Sequence, residues 1–276
     1  MYKILKKRTL AENAIEYRFL CSKVAAHAKP GQFIILRVDA EGERVPFTIC
    51  DIHDDGITIL VQTVGYTTMK LAQKEEGEYI HDLVGPLGNA TDLEDFGKIL
   101  LVGGGIGTAV VYPQAKHLFK EGKPADSIIG ARTASLLVYE DEMRQFSENL
   151  CVVTDDGSRG EKGFVTAKLE ALIKEGKNYD AVFAVGPLPM MRAVANLTRG
   201  YGLKTIVSMN SIMVDGTGMC GCCRLTVGGK VKYACVDGPE FDGHLVDFEE
   251  AMARSRTYVE QEKEHICRLS GAPKKG

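Results

Sequence analysis

The chain offers no apolar run approaching the roughly eighteen residues needed to cross a bilayer as a helix, and the basic start MYKILKKRTL is not followed by the apolar segment of a secretory signal. A membrane role is therefore not expected, and a cytoplasmic location is the default. Charge is also nearly balanced, with a net value of -3 and 26% charged residues. No basic face for nucleic acid or an acidic membrane surface is implied. The six histidines are scattered, so no general acid, base or nucleophile constellation stands out. Internal repeats are missing, and low complexity is confined to the tail GAPKKG. What remains is a chain of 276 residues, too long for one ordinary core and suited to two or three compact units.

Cysteine is where the chain departs from ordinary composition. Four of the eight, Cys220, Cys222, Cys223 and Cys235, fall in the stretch DGTGMCGCCRLTVGGKVKYAC, among glycines and beside a hairpin-like turn at Gly228 and Gly229. A plant-type [2Fe–2S] site uses C-x4-C-x2-C and a distant fourth cysteine, because a tight loop must aim its thiolates inward at the cluster. Here Cys220 and Cys223 supply the central pair and Cys235 the distant ligand, and the first slot holds Asp215. An ionised aspartate is an oxygen donor, less covalent than a thiolate. The ligand set read from the spacing is Asp215, Cys220, Cys223 and Cys235. Three alternatives stand beside it. Zinc would take four thiolates, although such sites usually have two knuckles and this loop has one. Disulfides suit an oxidising compartment, for which no signal is seen. Cys222 would be a ligand if Asp215 only caps the turn; vicinal Cys222 and Cys223 would then have to point at one cluster. Cys21, Cys50, Cys151 and Cys267 are scattered and read as small, mostly buried hydrophobes.

Residues 1–96 carry short runs of period two, at Ile15–Leu20, Gln32–Val38, Val45–Asp51 and Gly56–Val64, broken by Pro30-Gly31, Glu41-Gly42 and Asp54-Asp55-Gly56. That pattern predicts an antiparallel barrel or sandwich, with a helix over Thr67–Gln73 started by two threonines. Three stretches in it suit ligand chemistry. In RVPFT, Arg44 offers a planar fork for phosphate and Thr48 a hydroxyl for a flavin edge, with Phe47 between. VQTVGYTT ends a strand at a helix start, where free amides favour an anion. GPLGN, at Gly85–Asn89, reads as a tight loop that lets a ligand approach closely.

Residues 97–208 alternate strands with helices. Ile99–Val102 runs into GGGIGTA, Gly103–Ala109, and then into a helix over Val110–Lys120. Such a strand, turn and helix form a nucleotide-binding half-unit. The third glycine of the dinucleotide fingerprint is missing, so Ala109 or a neighbour must pack the helix on the sheet. Further strands are expected at Ser127–Gly130, Leu150–Thr154, Ala181–Val185 and Thr205–Ser208, with helices at Glu140–Ser147, Thr166–Lys174 and Pro189–Thr198. The alternation predicts a doubly wound parallel sheet. Its binding edge is then made by the loops GAR to Arg132, TDDGS from Thr154 and GPLPMM from Gly186, with at least one of Met190 and Met191 in the core. Residues 209–276 form a third unit, the cysteine loop followed by a helix over Leu245–Glu262 that packs on its own domain or docks a partner.

The order RVPFT, VQTVGYTT, GPLG, GGGIG, TDDGS, GPLPMM and cysteine loop resembles the ferredoxin–NADP reductase superfamily. Within it the chain resembles electron-transfer subunits carrying FAD, a [2Fe–2S] cluster and an NAD site, such as that of dihydroorotate dehydrogenase, which has cysteine in the first ligand slot. With aspartate there, IMVDGTGMCG and ACVDGPEFDGHLVDF resemble more closely the small-subunit type of NADH-dependent ferredoxin:NADP oxidoreductases, also known as a sulfide dehydrogenase subunit. This resemblance implies that Arg44, Pro46, Phe47 and Thr48 hold FAD, with Val61, Gln62 and Val64 beside the ring and Gly65, Thr67 and Thr68 near the pyrophosphate. It implies an NAD(H) edge of Gly103, Gly104, Gly105, Ile106, Gly107, Arg132, Asp155, Asp156, Gly186, Pro187 and Met190. Arg132 would also suit a 2′-phosphate, and the choice of NAD(H) rests on the resemblance. The implied partner is a large subunit with a further FAD and [4Fe–4S] clusters, forming a heterodimer in which NADPH oxidation is split between ferredoxin and this chain. Cys222 is an additional thiol with no role in that pattern.

Overall fold

The computed structural model describes residues 1–93 and 96–269, the last three of these by backbone alone. The side chain of Cys267 and the tail GAPKKG lie outside the described residues.

The first unit is antiparallel. Its strands are β1 (Tyr2–Ala11), β2 (Ala14–Leu20), β3 (Phe33–Arg37), β4 (Val45–Thr48), β5 (Asp51–His53), β6 (Gly56–Gln62), β7 (Tyr79–Ile80) and β8 (Asp82–Leu87), with short helices α1 (Ser22–Ala25) and α2 (Tyr66–Ala72). Of the two expected forms, barrel or sandwich, hydrogen bonding among the described residues gives the sandwich and no closed barrel. A five-stranded sheet in the order β5-β6-β2-β1-β7 faces a three-stranded sheet in the order β4-β3-β8. Tyr17, Phe19, Ile34, Leu36, Ile57 and Ile59 fill the space between them.

Three local differences from the sequence reading have physical causes. Strand β1 is not marked in the sequence, because Lys3, Lys6, Lys7 and Arg8 mask its alternation; Lys6 and Arg8 face outward, Lys7 is tied down by the Ala72 carbonyl and Glu75, and Ile4 is fully buried. The expected strand Val45–Asp51 breaks in two at Ile49–Cys50. Gly85–Leu87 belong to β8 rather than to a loop. The close approach that glycine permits there is at Gly88, where a Cβ would meet the Phe33 ring at 2.7 Å.

The second unit contains β9 (Ile99–Gly104), α3 (Thr108–Lys120), β10 (Ala125–Ala131), α4 (Glu140–Phe146), β11 (Ser147–Thr154), β12 (Glu161–Lys162), α5 (Val165–Lys174), β13 (Ala181–Val185), α6 (Leu188–Gly200) and β14 (Lys204–Ser208). These strands are parallel in the order β12-β11-β10-β9-β13-β14. The central pair, β9 and β13, is buried on both faces and reads as nearly continuous apolar runs, whereas the edge strand β12 is short, charged and exposed. Helices α3 and α4 cover one face through Val111, Ala115, Leu118 and Met143. Helices α5 and α6 cover the other through Leu169, Leu172, Met191 and Val194.

The third unit has a hairpin, β15 (Arg224–Val227) and β16 (Lys230–Tyr233), then β17 (Glu240–Asp242), α7 (Phe248–Ser255) and α8 (Val259–Leu269). Gly228 and Gly229 both have positive φ, +58° and +73°, as a tight two-residue hairpin turn demands. Strand β17 leaves its own unit and pairs antiparallel with β14, with Val207 opposite Phe241 and Ser208 opposite Glu240. It thereby becomes the seventh strand of the nucleotide-binding sheet.

The single helix expected over Leu245–Glu262 is two helices broken at 256–258. Asp247 caps the first, its carboxylate accepting the Glu250 N–H at 2.9 Å. Both helices lie on this chain. Glu249 of α7 pairs with Arg192 of α6, and Glu262 of α8 accepts the Tyr66 N–H at the start of α2. No helix among the described residues is long and apolar enough to cross a membrane.

Phe241 is 9% exposed, and its ring lies within 2.5 Å of where a Gly238 Cβ would be. Phe241→Ala should therefore cost about 3 kcal/mol or more. In urea unfolding this lowers the midpoint in proportion while the slope stays that of the parent.

Candidate functional site

A cleft of about 930 Å³ separates the antiparallel unit from the carboxyl ends of the parallel strands. Ligands of open α/β sheets bind at this edge. From the first unit Pro46, Phe47, Thr48 and Gln62 line it; from the second come Gly104, Gly105, Ile106, Gly107, Arg132, Asp155, Gly186, Pro187 and Met190. Thirteen of the residues singled out in the sequence are thus brought to one cavity.

The glycine turn works by proximity. Gly105 has φ +55° with open space around it, which leaves its backbone free to a ligand. At Gly107 a Cβ would sit 2.3 Å from the Val185 carbonyl, so this residue packs the turn against β13. Ala109, 2% exposed, lies in the core of the α3 face. The two together do the packing for which the missing third glycine would serve. Met190 lies against the turn, its Sδ 2.2 Å from a Cβ built on Gly104, while Met191 is fully buried.

Other singled-out residues lie elsewhere. Val61 is 0% exposed in the core of the first unit, because alternation along β6 turns it away from the cleft that Leu60 and Gln62 face. Val64 is exposed. Asp156 is engaged by its own turn, accepting the Ser158 N–H at 3.0 Å and hydroxyl at 2.6 Å. Gly65, rather than a threonine, is the N-cap of α2. Thr68 reaches back, accepting the Val64 and Gly65 N–H groups at 3.2 and 3.0 Å. Thr67 is buried and donates to Glu43. The neighbouring Tyr66 amide is taken by Glu262.

Arg44 joins this cleft to the cysteine loop. Its Nε donates to the Val214 carbonyl at 2.8 Å, and its guanidinium lies 3.7 Å from Asp82. The loop itself folds through Gly216, Gly218 and Gly221, all at positive φ. A Cβ on Gly216 would come within 2.7 Å of both Ile35 and Leu87, so only glycine lets the loop settle on the first unit. Asp215 stands at its head and accepts the Thr217 N–H at 2.9 Å and the Cys220 N–H at 2.7 Å. The first of these bonds leads in holding its carboxyl below the usual range.

The thiols fall into two pairs. Cys223 and Cys235, each 2% exposed, have sulfurs 3.2 Å apart and remain free thiols. Burial pushes the Cys235 thiol up to about 12, and its Cys223 neighbour adds to this. Backbone N–H groups, that of Cys222 first, hold the exposed Cys220 thiol low. Cys222 lines a smaller cavity of about 220 Å³ with Cys220, Arg224 and Arg254. Arg254 fixes that part of the loop by donating to the Cys222 carbonyl at 3.0 Å. The loop thus brings its expected ligands together in two pairs, Asp215 with Cys220 and Cys223 with Cys235, and a carboxylate with soft sulfur donors on a loop with three left-handed glycines suits an iron–sulfur centre.

Sequence reasoning missed several lining residues. Asn210 borders both the cleft and the smaller cavity at the cysteine loop; one polar residue after a strand carries no signal by itself. Phe164 lines the cleft at 64% exposure, and an exposed aromatic before a helix was the available clue. Cys50, read as a core residue, is buried but also lines the cleft.

The nucleotide cleft and the adjoining cysteine loop define an NAD-linked oxidoreductase subunit of the ferredoxin-reductase fold. The family model for the iron–sulfur cluster binding domain of dihydroorotate dehydrogenase B matches residues 210–247, and that for the oxidoreductase NAD-binding domain matches residues 101–196. The "dihydroorotate dehydrogenase B (NAD(+)), electron transfer subunit homolog" of Thermotoga maritima is 46% identical over 262 residues, or 94% of this chain and 92% of that protein. The corresponding electron transfer subunit of Bacillus caldolyticus is 37% identical over 249 residues, or 86% of this chain and 94% of that protein. A solved chain of an NADH-dependent reduced ferredoxin-NADP oxidoreductase, described for flavin-based electron bifurcation, superposes with a TM-score of 0.92 at 44% identity, covering 98% of each chain. The chain belongs to the family of dihydroorotate dehydrogenase B-type electron-transfer subunits, with NAD(H) and an iron–sulfur cluster as its cofactors.

Gly107→Ala should push β13 and the turn apart, costing about 1–3 kcal/mol and weakening NADH binding in a direct titration. Gly200→Ala, with open space at its Cβ position, should leave that binding unchanged.

Proposed function

We propose that the chain is the small, NAD(H)-facing subunit of an electron-bifurcating NADH-dependent ferredoxin:NADP oxidoreductase. The observation that carries this reading is the match over 98% of both chains to the solved NADH-dependent reduced ferredoxin-NADP oxidoreductase. When bound, FAD and a [2Fe–2S] cluster supply the exchange between a two-electron hydride and single electrons.

The chain's own residues bind and orient. Pro46, Phe47, Thr48 and Gln62 wall the flavin side of the cleft, with Val64 at its rim and Val61 behind the strand. Arg44 orders the loop between cleft and cluster, and Gly65, Thr67 and Thr68 receive the pyrophosphate, where Glu262 yields its amide. Gly103 to Gly107, Gly186, Pro187 and Met190 seat the nicotinamide half of NAD(H); Arg132, Asp155 and Asp156 stand at its adenosine half. Asp215, Cys220, Cys223 and Cys235 hold the cluster. Since Cys235 enters the site as a thiol, cluster assembly releases its proton. The partner is a large subunit carrying another FAD and [4Fe–4S] clusters, where NADPH and ferredoxin react, and the pair is a cytoplasmic heterodimer.

A second reading, the electron-transfer subunit of an NAD-linked dihydroorotate dehydrogenase, is favoured by the 37% identity to the Bacillus caldolyticus subunit. Asp215 in place of cysteine weighs against it.

Anaerobically purified protein should contain about one FAD, two irons and two sulfides per chain, as a [2Fe–2S] flavoprotein requires, and NADH should elicit the EPR signal of a reduced cluster. Zinc without flavin would overturn the reading. Asp215→Cys should leave the cluster assembled and shift its potential. An unchanged spectrum and potential would reduce Asp215 to its bonds with Thr217 and Cys220. With the partner bound, oxidation of NADPH but not of dihydroorotate separates the two readings.

A further inference from the structure

Glu240 is a carboxyl that the reading above does not use. It lies on β17, where the Thr91 hydroxyl donates to its Oε1, and Gln114 Nε2 donates to that same hydroxyl at 2.7 Å. Thr91 belongs to the segment between the first and second units, Gln114 to α3 and Glu240 to the third unit. All three units therefore meet at one hydroxyl. Thr91 has a single proton to give and gives it to Glu240. Oε1 of the ionised carboxylate is thus the acceptor of that bond.

Among the described residues, the groups facing this carboxyl are neutral: Thr91 and Gln114, Ser208 opposite it on β14, Pro239 just before its strand and Phe241 on it. Asp92, beside Thr91, is exposed. Among the described residues no lysine, arginine or histidine acts on Glu240, and burial, opposed only by the Thr91 bond, pushes the carboxyl up to about 7. The residue keeps partial exposure, which gives protons a way in and out.

Glu240 is also firmly connected to the cysteine loop. It follows Cys235 by five residues, so their backbones lie within about 18 Å even for extended chain. The intervening segment is fixed on both sides, with Asn89 donating to Gly238 at 2.7 Å and to Val236 at 3.3 Å, and the Met209 N–H to Pro239 at 2.8 Å.

We propose that Glu240 is a redox-linked proton site for the iron–sulfur centre, binding one proton from water as that centre gains an electron and returning it when the electron leaves. The electron comes from NADH, and no other bond forms or breaks. Added negative charge raises the proton affinity of a carboxyl by an amount that fades with distance, and by linkage a bound proton eases reduction equally. Glu240 acts through the cluster and does not touch substrate, so it is a positioning residue that tunes the potential. The inference rests on the iron–sulfur assignment of the loop.

The test is the cluster's midpoint potential, read by EPR in the flavin- and iron-loaded chain from pH 5.5 to 9. The parent should show a potential that falls as pH rises through neutrality and levels at both ends. Glu240→Gln should be flat over that range, and Glu148→Gln, at an exposed position on β11, should keep the parent's slope. Thr91→Val removes the one bond that opposes protonation, so its sloping region should move to higher pH; this variant carries the test if Glu240→Gln does not fold. A flat parent, a slope retained in Glu240→Gln, or a Thr91→Val curve that stays or moves down would overturn the proposal. Absence of any iron–sulfur signal would overturn the loop's assignment, and this inference with it.

Discussion

A single apolar core running through all three units fixes where the sites stand. Phe33 and Ile35 from the first unit, Leu100, Val102 and Val182 from the parallel sheet, and Cys223, Leu225 and Cys235 from the third pack in one continuous cluster. Separate domains joined by linkers would be free to shift, as small polar interfaces permit. Here two of the loop's sulfurs are themselves core atoms. The distance between the nucleotide cleft and the cysteine loop is therefore set by packing, and electron transfer between carriers depends on such distances being held.

Within that frame the glycines decide what may come close. Gly107 brings the turn onto β13, and Gly216 brings the cysteine loop onto Ile35 and Leu87. Arg44 then joins the two places by holding the Val214 carbonyl. The arginine of RVPFT, which by its chemistry suits a phosphate, is in the structure also a tie between the antiparallel unit and the loop that follows β14. Asn210 occupies the same border from the other side. These contacts explain how the cleft and the cysteine loop come to share a small volume.

Much of this was legible in the sequence, for reasons that can be stated. Ala181–Val185 reads as a buried parallel strand because five apolar residues sit between turn signals, and it is β13 with those same limits. The glycine turn, the two hairpin glycines and the spaced cysteines each impose a local geometry, so each showed locally. The choice between barrel and sandwich in the first unit did not, because closure depends on pairing between distant strands. Neither did the break in the C-terminal helix at 256–258, since apolar spacing continues across it. Val61 was placed beside a ligand by motif, whereas strand alternation sends it into the core. Asn210 and Glu240 gain their positions only from long-range folding, and no pattern along the chain marks them.

Strand β17 has a consequence for how the protein is made. The nucleotide-binding sheet is built from residues 99–208, yet its last strand arrives only with residues 240–242. During synthesis at about 5–20 residues per second, the growing chain holds β14 with an unpaired edge for a few seconds before the covering strand is available. An open edge of that kind is a template for pairing with other chains. The parent protein hides it at the end, but a ribosome that stops early leaves it bare. Products truncated between β14 and β17 should then be the aggregating species in a cell making this protein, which gives quality control a reason to act on chains that stop in that interval.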